Sequence, residues 1–232
     1  FAVAAARDPG RLRIGVTTHA PIGGVALDPL CERAARDAAA LLEGLGHDVT
    51  PAWPQALADP TLAQKFMAMW STNMAMGRAG FATTLGREIT EADIEPVNWI
   101  QAEFAARMSA VDYAAALAAS YRFRRDVQAW WADGWDLLLT PTLAEPPPPL
   151  EEFAPVPGDP AAQMRRSATW VAYTPPFNMS GQPAISLPLH WNDAGLPIGV
   201  QLVAAYGRED VLVRVASQLE VAHPWADRHP AV

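Results

Sequence analysis

The stretch Tyr173-Thr-Pro-Pro-Phe-Asn-Met-Ser-Gly-Gln-Pro-Ala-Ile-Ser-Leu-Pro-Leu-His190, continued by Trp191-Asn-Asp-Ala-Gly-Leu-Pro-Ile-Gly-Val-Gln-Leu-Val203, decides the fold. Two apolar runs, residues 184–189 and 198–203, have the length of strands and are bounded by Pro or Gly. Between them Asn192, Asp193 and Gly195 tolerate positive φ or bond locally to backbone. The pattern predicts a β-hairpin with a slightly long loop, buried on at least one face. The approach, residues 174–183, holds three prolines and reads as a stiff loop that can hold side chains at a sheet edge. Within it Asn178 has two readings: an amide that bonds loop backbone, or a group presented to a ligand.

Upstream, residues 12–17 alternate into a short strand. Asp28 before Pro29 is a preferred helix start, with Leu30, Ala34, Ala38, Leu41, Leu42 and Leu45 on one stripe and Gly44 and Gly46 at the end. Residues 47–53 read as a second strand, completing a β-α-β unit with parallel pairing. Asp59-Pro60 opens a helical region to about Gly80. There Phe66, Met69, Trp70, Asn73, Met74 and Gly77 recur at helical spacing, as core filler or as the apolar wall of a pocket. Glu95-Pro96 opens a helix through Met108, and the Ser109-x-x-Asp112 capping box opens a long one to about Ala132. Residues 136–140 form a compact apolar strand ended by Pro141. Residues 141–160 read as a proline-stiffened surface loop, residues 161–171 as a short helix and residues 210–222 as an amphipathic helix. Residues 1–11 are a lead-in and residues 223–232 an irregular tail. This alternation predicts one α/β domain over residues 1–232, a mixed β-sheet flanked by helices.

With 232 residues, half of them hydrophobic, the chain can bury a sizeable core. Net charge is −8, and the basic residues are scattered arginines plus Lys65, which argues against nucleic acid as a partner. A single cysteine, Cys31, excludes an intrachain disulfide and a cysteine metal cluster, and its alanine-rich helical setting suits a buried thiol. No apolar run approaches the roughly 20 residues of a membrane span. Residues 1–6 lack the length and basic segment of a secretory leader. A cytoplasmic protein with no membrane partner is expected. Gly23-Gly24 is not a phosphate loop, and no metal-ligand spacing occurs, so no metal and no cofactor are expected.

Asn178-x-x-Gly181-Gln182-Pro183-Ala184-Ile185-Ser186-Leu187-Pro188, followed by Gly195-Leu196-Pro197-Ile198-Gly199-Val200-Gln201-Leu202, resembles the C-terminal region of the amidase signature family in order and spacing. Asp136-Leu-Leu-Leu-Thr-Pro-Thr142 and the Asp210…Leu212…Ala216…Glu220 pattern resemble further blocks, so the resemblance runs from about Leu12 to Glu220. It implies the family's α/β fold and a hydrolase of non-peptide, linear carbon–nitrogen amide bonds. In that family a serine nucleophile, a serine on a cis peptide and a neutral lysine form the catalytic set, with backbone N–H groups holding the oxyanion.

The Gly/Ser-rich nucleophile segment is absent from this sequence. Lys65 lies on a predicted helix and reads as a solvated surface group; Ser180 and Ser186 lie outside the nucleophile block. The resemblance therefore implies a C-terminal portion of a longer amidase, with no catalytic residue of its own and no activity alone. Its expected partners are a small-molecule amide substrate and the N-terminal half of the same enzyme; homodimerisation is left open. Its expected contribution is scaffold and pocket, with Trp170, Tyr173, Phe177 and Asn178 as substrate-binding residues: an aromatic wall and an amide that orients a carbonyl. Packing alone is an equal reading of all four. Two rivals share the blocks. One is the A subunit of a tRNA-dependent amidotransferase, which the acidic charge supports little; the other is a non-catalytic binding module of the same fold.

Overall fold

The run Leu-Leu-Leu-Thr-Pro that reads as a compact strand is β3 (Leu137–Pro141), buried at every position. A strand covered on both faces has no need of alternating polarity, which is why the sequence is continuously apolar there. In the computed structural model, which describes residues 1–21 and 23–230, β3 is the centre of a five-stranded mixed sheet. Its neighbours are β1 (Arg13–Val16), β2 (Asp48–Pro51), β4 (Ala184–Trp191) and β5 (Pro197–Ala204), in the order β2-β1-β3-β5-β4. Ile22 of the predicted glycine loop and the last two positions of the predicted tail lie outside the described residues.

β1 pairs parallel with both β2 and β3, as the β-α-β reading requires. β5 runs antiparallel to β3 and to β4, so the decisive stretch is a hairpin whose first strand forms a sheet edge. Ser186 faces Gln201 in its register, and the pairing shifts between Leu187 and His190. Pro188 lies in that irregularity, where a residue without an N–H costs the ladder least.

Two helical layers cover the sheet. On one face α2 (Pro29–Gly44) and α8 (Glu209–Ala222) bury Ala34, Ala38, Leu42, Val215 and Leu219 against Ile14, Leu137, Leu139 and Leu202. The Asp28 carboxylate accepts from the Leu30 N–H at 2.7 Å, which starts α2 as its Asp-Pro signature predicts. On the other face α5 (Ala110–Ala132) sets Phe123, Val127 and Trp131 over Leu138 and Val203. Both halves of the Ser109–Asp112 capping box form. Where β1 passes under Trp130 the strand carries Gly15: a Cβ there would lie 2.6 Å from the Ala52 carbonyl oxygen and 2.7 Å from the indole.

Five elements differ from the sequence reading, one of them a 3-10 helix, Leu150–Phe153, inside the predicted loop 141–160. Residues 174–183 are not loop throughout: α7 (Pro175–Ser180) forms inside them. Two prolines at the first helical positions need no N–H donor there, and Gly181, at φ +79°, ends the helix in the left-handed region. α3 (Leu62–Leu85) runs past Gly80 and stops at Gly86, whose φ is +63°. The lead-in contains α1 (Ala2–Ala5), packed on α8, and Gln55–Ala58 is a short 3-10 helix. α4 (Pro96–Ala106) and α6 (Ala162–Trp170) follow the predicted helices within about two residues.

Candidate functional site

α3 carries the long Met- and Trp-rich stripe, yet only Leu62 and Ser71 on it are buried. Phe66 packs at the margin of the core under the sheet, but core filling does not account for the whole stripe. Phe66 and Trp70 also face a cavity of about 610 Å³ between α3, α4 and α6, with Phe153 and Pro175 in its lining. The volume is in the range of small-molecule sites. Each helix contributes residues at one helical spacing: Leu62, Phe66 and Trp70 from α3, Val97 and Gln101 from α4, Met164, Ala168 and Val171 from α6 or its end. α3 and α4 are pinned by Arg78, which bonds Glu103 at 2.7 Å and lies over the Trp99 ring at 4.8 Å. On the far side of α6, Arg166 bonds Glu145 at 2.8 Å and Glu152 at 2.7 Å, fixing α6 against the 3-10 helix Leu150–Phe153.

The cavity wall is apolar apart from a few side chains. Gln163 bonds the Phe153 carbonyl and Arg165 pairs with Asp159. Gln101 is buried; its carbonyl oxygen accepts from the Ser71 hydroxyl, and its amino group contacts the Met164 sulfur. A second hollow of about 570 Å³, beside α5, is lined by Tyr121, Arg124, Arg125, Gln182 and Tyr206. It is more open, has two arginines in its lining, and is less suited to an apolar ligand. Among the described residues no group of three His, Cys, Asp or Glu side chains could hold a metal ion.

The four residues picked out in the sequence lie around α6 and α7. Trp170 is half-buried, its ring 5.1 Å from that of Phe153, so it backs a residue of the cavity wall. Tyr173 is fully buried and donates its hydroxyl to the Thr18 carbonyl at 2.6 Å; burial raises the phenol well above its ordinary range. Phe177 packs with Val127, Leu138 and Val203 under the sheet. Asn178 is exposed. Their neighbours Val171 and Pro175 reach the cavity itself.

A model of the amidase family matches residues 1–213. The chain belongs to the amidase family. Among its relatives, the 6-aminohexanoate-cyclic-dimer hydrolase of Pseudomonas sp. (strain NK87) is 42% identical over 235 residues, which cover 99% of this chain and 48% of the relative. The acylamidase of Rhodococcus erythropolis is 31% identical over 223 residues, 95% of this chain and 44% of the relative. A structure of 6-aminohexanoate cyclic dimer hydrolase complexed with substrate superposes with a TM-score of 0.89 at 41% identity, over 99% of this chain and 48% of that one. A bacterial aryl acylamidase shares the fold, with a TM-score of 0.74 at 20% identity over 98% of this chain and 46% of that one. The chain thus spans about half the length of the curated relatives it matches.

The one lysine of this amidase-family chain is not the solvated group that its helical setting suggests. Lys65 is partly buried and paired with Asp59. Burial opposes ionisation of Asp59, but bonds from Lys65 and Thr61 outweigh it and hold the carboxyl at about 2. The residues missed in the sequence are Val97, Gln101, Met164, Val171 and Pro175. Their helical spacing on α4 and α6 was a usable signal, but nothing local says that these faces meet α3.

Proposed function

We propose that this chain supplies the apolar substrate pocket of an amidase that hydrolyses carbon–nitrogen bonds of aliphatic or aromatic amides. The cavity between α3, α4 and α6 carries this reading: it has the volume of a ligand site and few polar groups. Relatives named for a 6-aminohexanoate cyclic dimer and as acylamidases support it, since the first substrate is an amide built on aliphatic chains. Trp170, Tyr173, Phe177 and Asn178 belong to the proposal as the segment that holds Val171 and Pro175 in place. Trp170 also backs Phe153, another residue of the cavity wall.

The serine–serine–lysine chemistry is assigned to no residue of this chain. Lys65, on α3, is engaged by Asp59 from the segment before that helix, and Ser186 shares a 2.8 Å bond with Thr142. The chain alone is accordingly proposed to bind amides without cleaving them, and the remaining length of such an enzyme is its proposed partner. Linear hexanamide and the 6-aminohexanoate cyclic dimer, titrated calorimetrically into the purified chain, test this. Saturable binding without release of amine or acid is the expected result. Hydrolysis that a serine-directed phosphonate abolishes would overturn the assignment, as would an absence of binding by both amides.

A further inference from the structure

Gln101 is the one fully amide-bearing side chain that is buried in the cavity wall, at 6% exposure. Its two ends are unequally satisfied. The carbonyl oxygen accepts from the hydroxyl of Ser71, which is completely buried and so has no competing water. The amino end points to the Met164 sulfur, and a thioether is a weak acceptor. Both Gln101 and Met164 line the cavity. A buried donor on so poor an acceptor gains from any oxygen that replaces the sulfur. Met164 is unbranched and can turn aside at little cost.

Resting on the cavity being the substrate pocket, we propose that Gln101 is its specificity residue: its amino group donates to a carbonyl oxygen of the bound amide, with Met164 as the side chain that gives way. The pocket then selects acyl compounds over hydrocarbons of the same shape.

The test compares N-methylbenzamide with sec-butylbenzene, its hydrocarbon counterpart of the same size, by titration into the 232-residue chain and its Gln101→Met variant. Methionine conserves volume and removes the donor. The expected result is that the variant binds N-methylbenzamide about threefold to tenfold more weakly, the worth of one net hydrogen bond, and sec-butylbenzene within about twofold of the parent. If both probes bind and the variant leaves amide affinity unchanged, the role of Gln101 is overturned while the pocket stands. If neither probe binds at α3, α4 and α6, the pocket itself falls. Where the variant does not fold, the parent chain decides. N-methylbenzamide must shift the Gln101 side-chain N–H resonances downfield and sec-butylbenzene must not; equal response to both overturns the proposal.

Discussion

At the scale of single residues, three positions offer direct tests. Gly15 sits where the Ala52 carbonyl and the Trp130 ring leave no room for a Cβ. Gly15→Ala must displace backbone as well as an indole, and should destabilise the chain by about 1–3 kcal/mol in urea unfolding, the range of overpacking. Tyr173→Phe keeps the ring and removes the bond to Thr18; its expected cost is about 1 kcal/mol by the same measurement. Asp59 gives a pH dependence. Folding lowers its pKa to about 2, so its contribution is complete above the ordinary carboxylate value of about 4. The contribution fades as pH falls through that value and is gone below about 2. The melting temperatures of the parent and Lys65→Met should therefore differ at pH 6 and converge toward pH 2.

At the scale of elements, what was legible in the sequence was what local chemistry encodes. The Asp28-Pro29 start of α2, the Ser109–Asp112 box of α5 and the two apolar runs flanking Asn192–Gly195 each specify a structure from nearby residues, and each formed. α7 was missed because Pro175-Pro176 signals a loop unless a helix begins at that point. The cavity was missed for a different reason. Its walls come from residues 62–70, 97–101 and 163–175, and only tertiary packing brings those faces together. Arg166 is the residue that fixes one wall. Arg166→Met releases Glu145 and Glu152 and should speed amide hydrogen exchange in α6 by about tenfold relative to β3, the effect of losing charge-assisted bonds worth about 1.4 kcal/mol.

At the scale of the whole molecule, the sheet is an internally complete support and the helical outer layer is not. β3 is covered on both faces, whereas Met76, Phe81 and Leu85 of α3 and Phe104 of α4 are more than half exposed. Amides of β3 and β5 should exchange last and those of the distal half of α3 first, in keeping with local burial. A chain that spans about half the length of its amidase relatives, with a closed core and an apolar cavity at one side, has the parts of a binding platform. Where an amide docks on that platform is the point on which the account turns. Isotope-filtered NOEs from bound N-methylbenzamide to the protein measure it directly. Contacts to the methyl groups of Met67 and Met164 and to the Trp70 ring are expected. Contacts confined to Tyr121 and Tyr206, in the hollow beside α5, would contradict it.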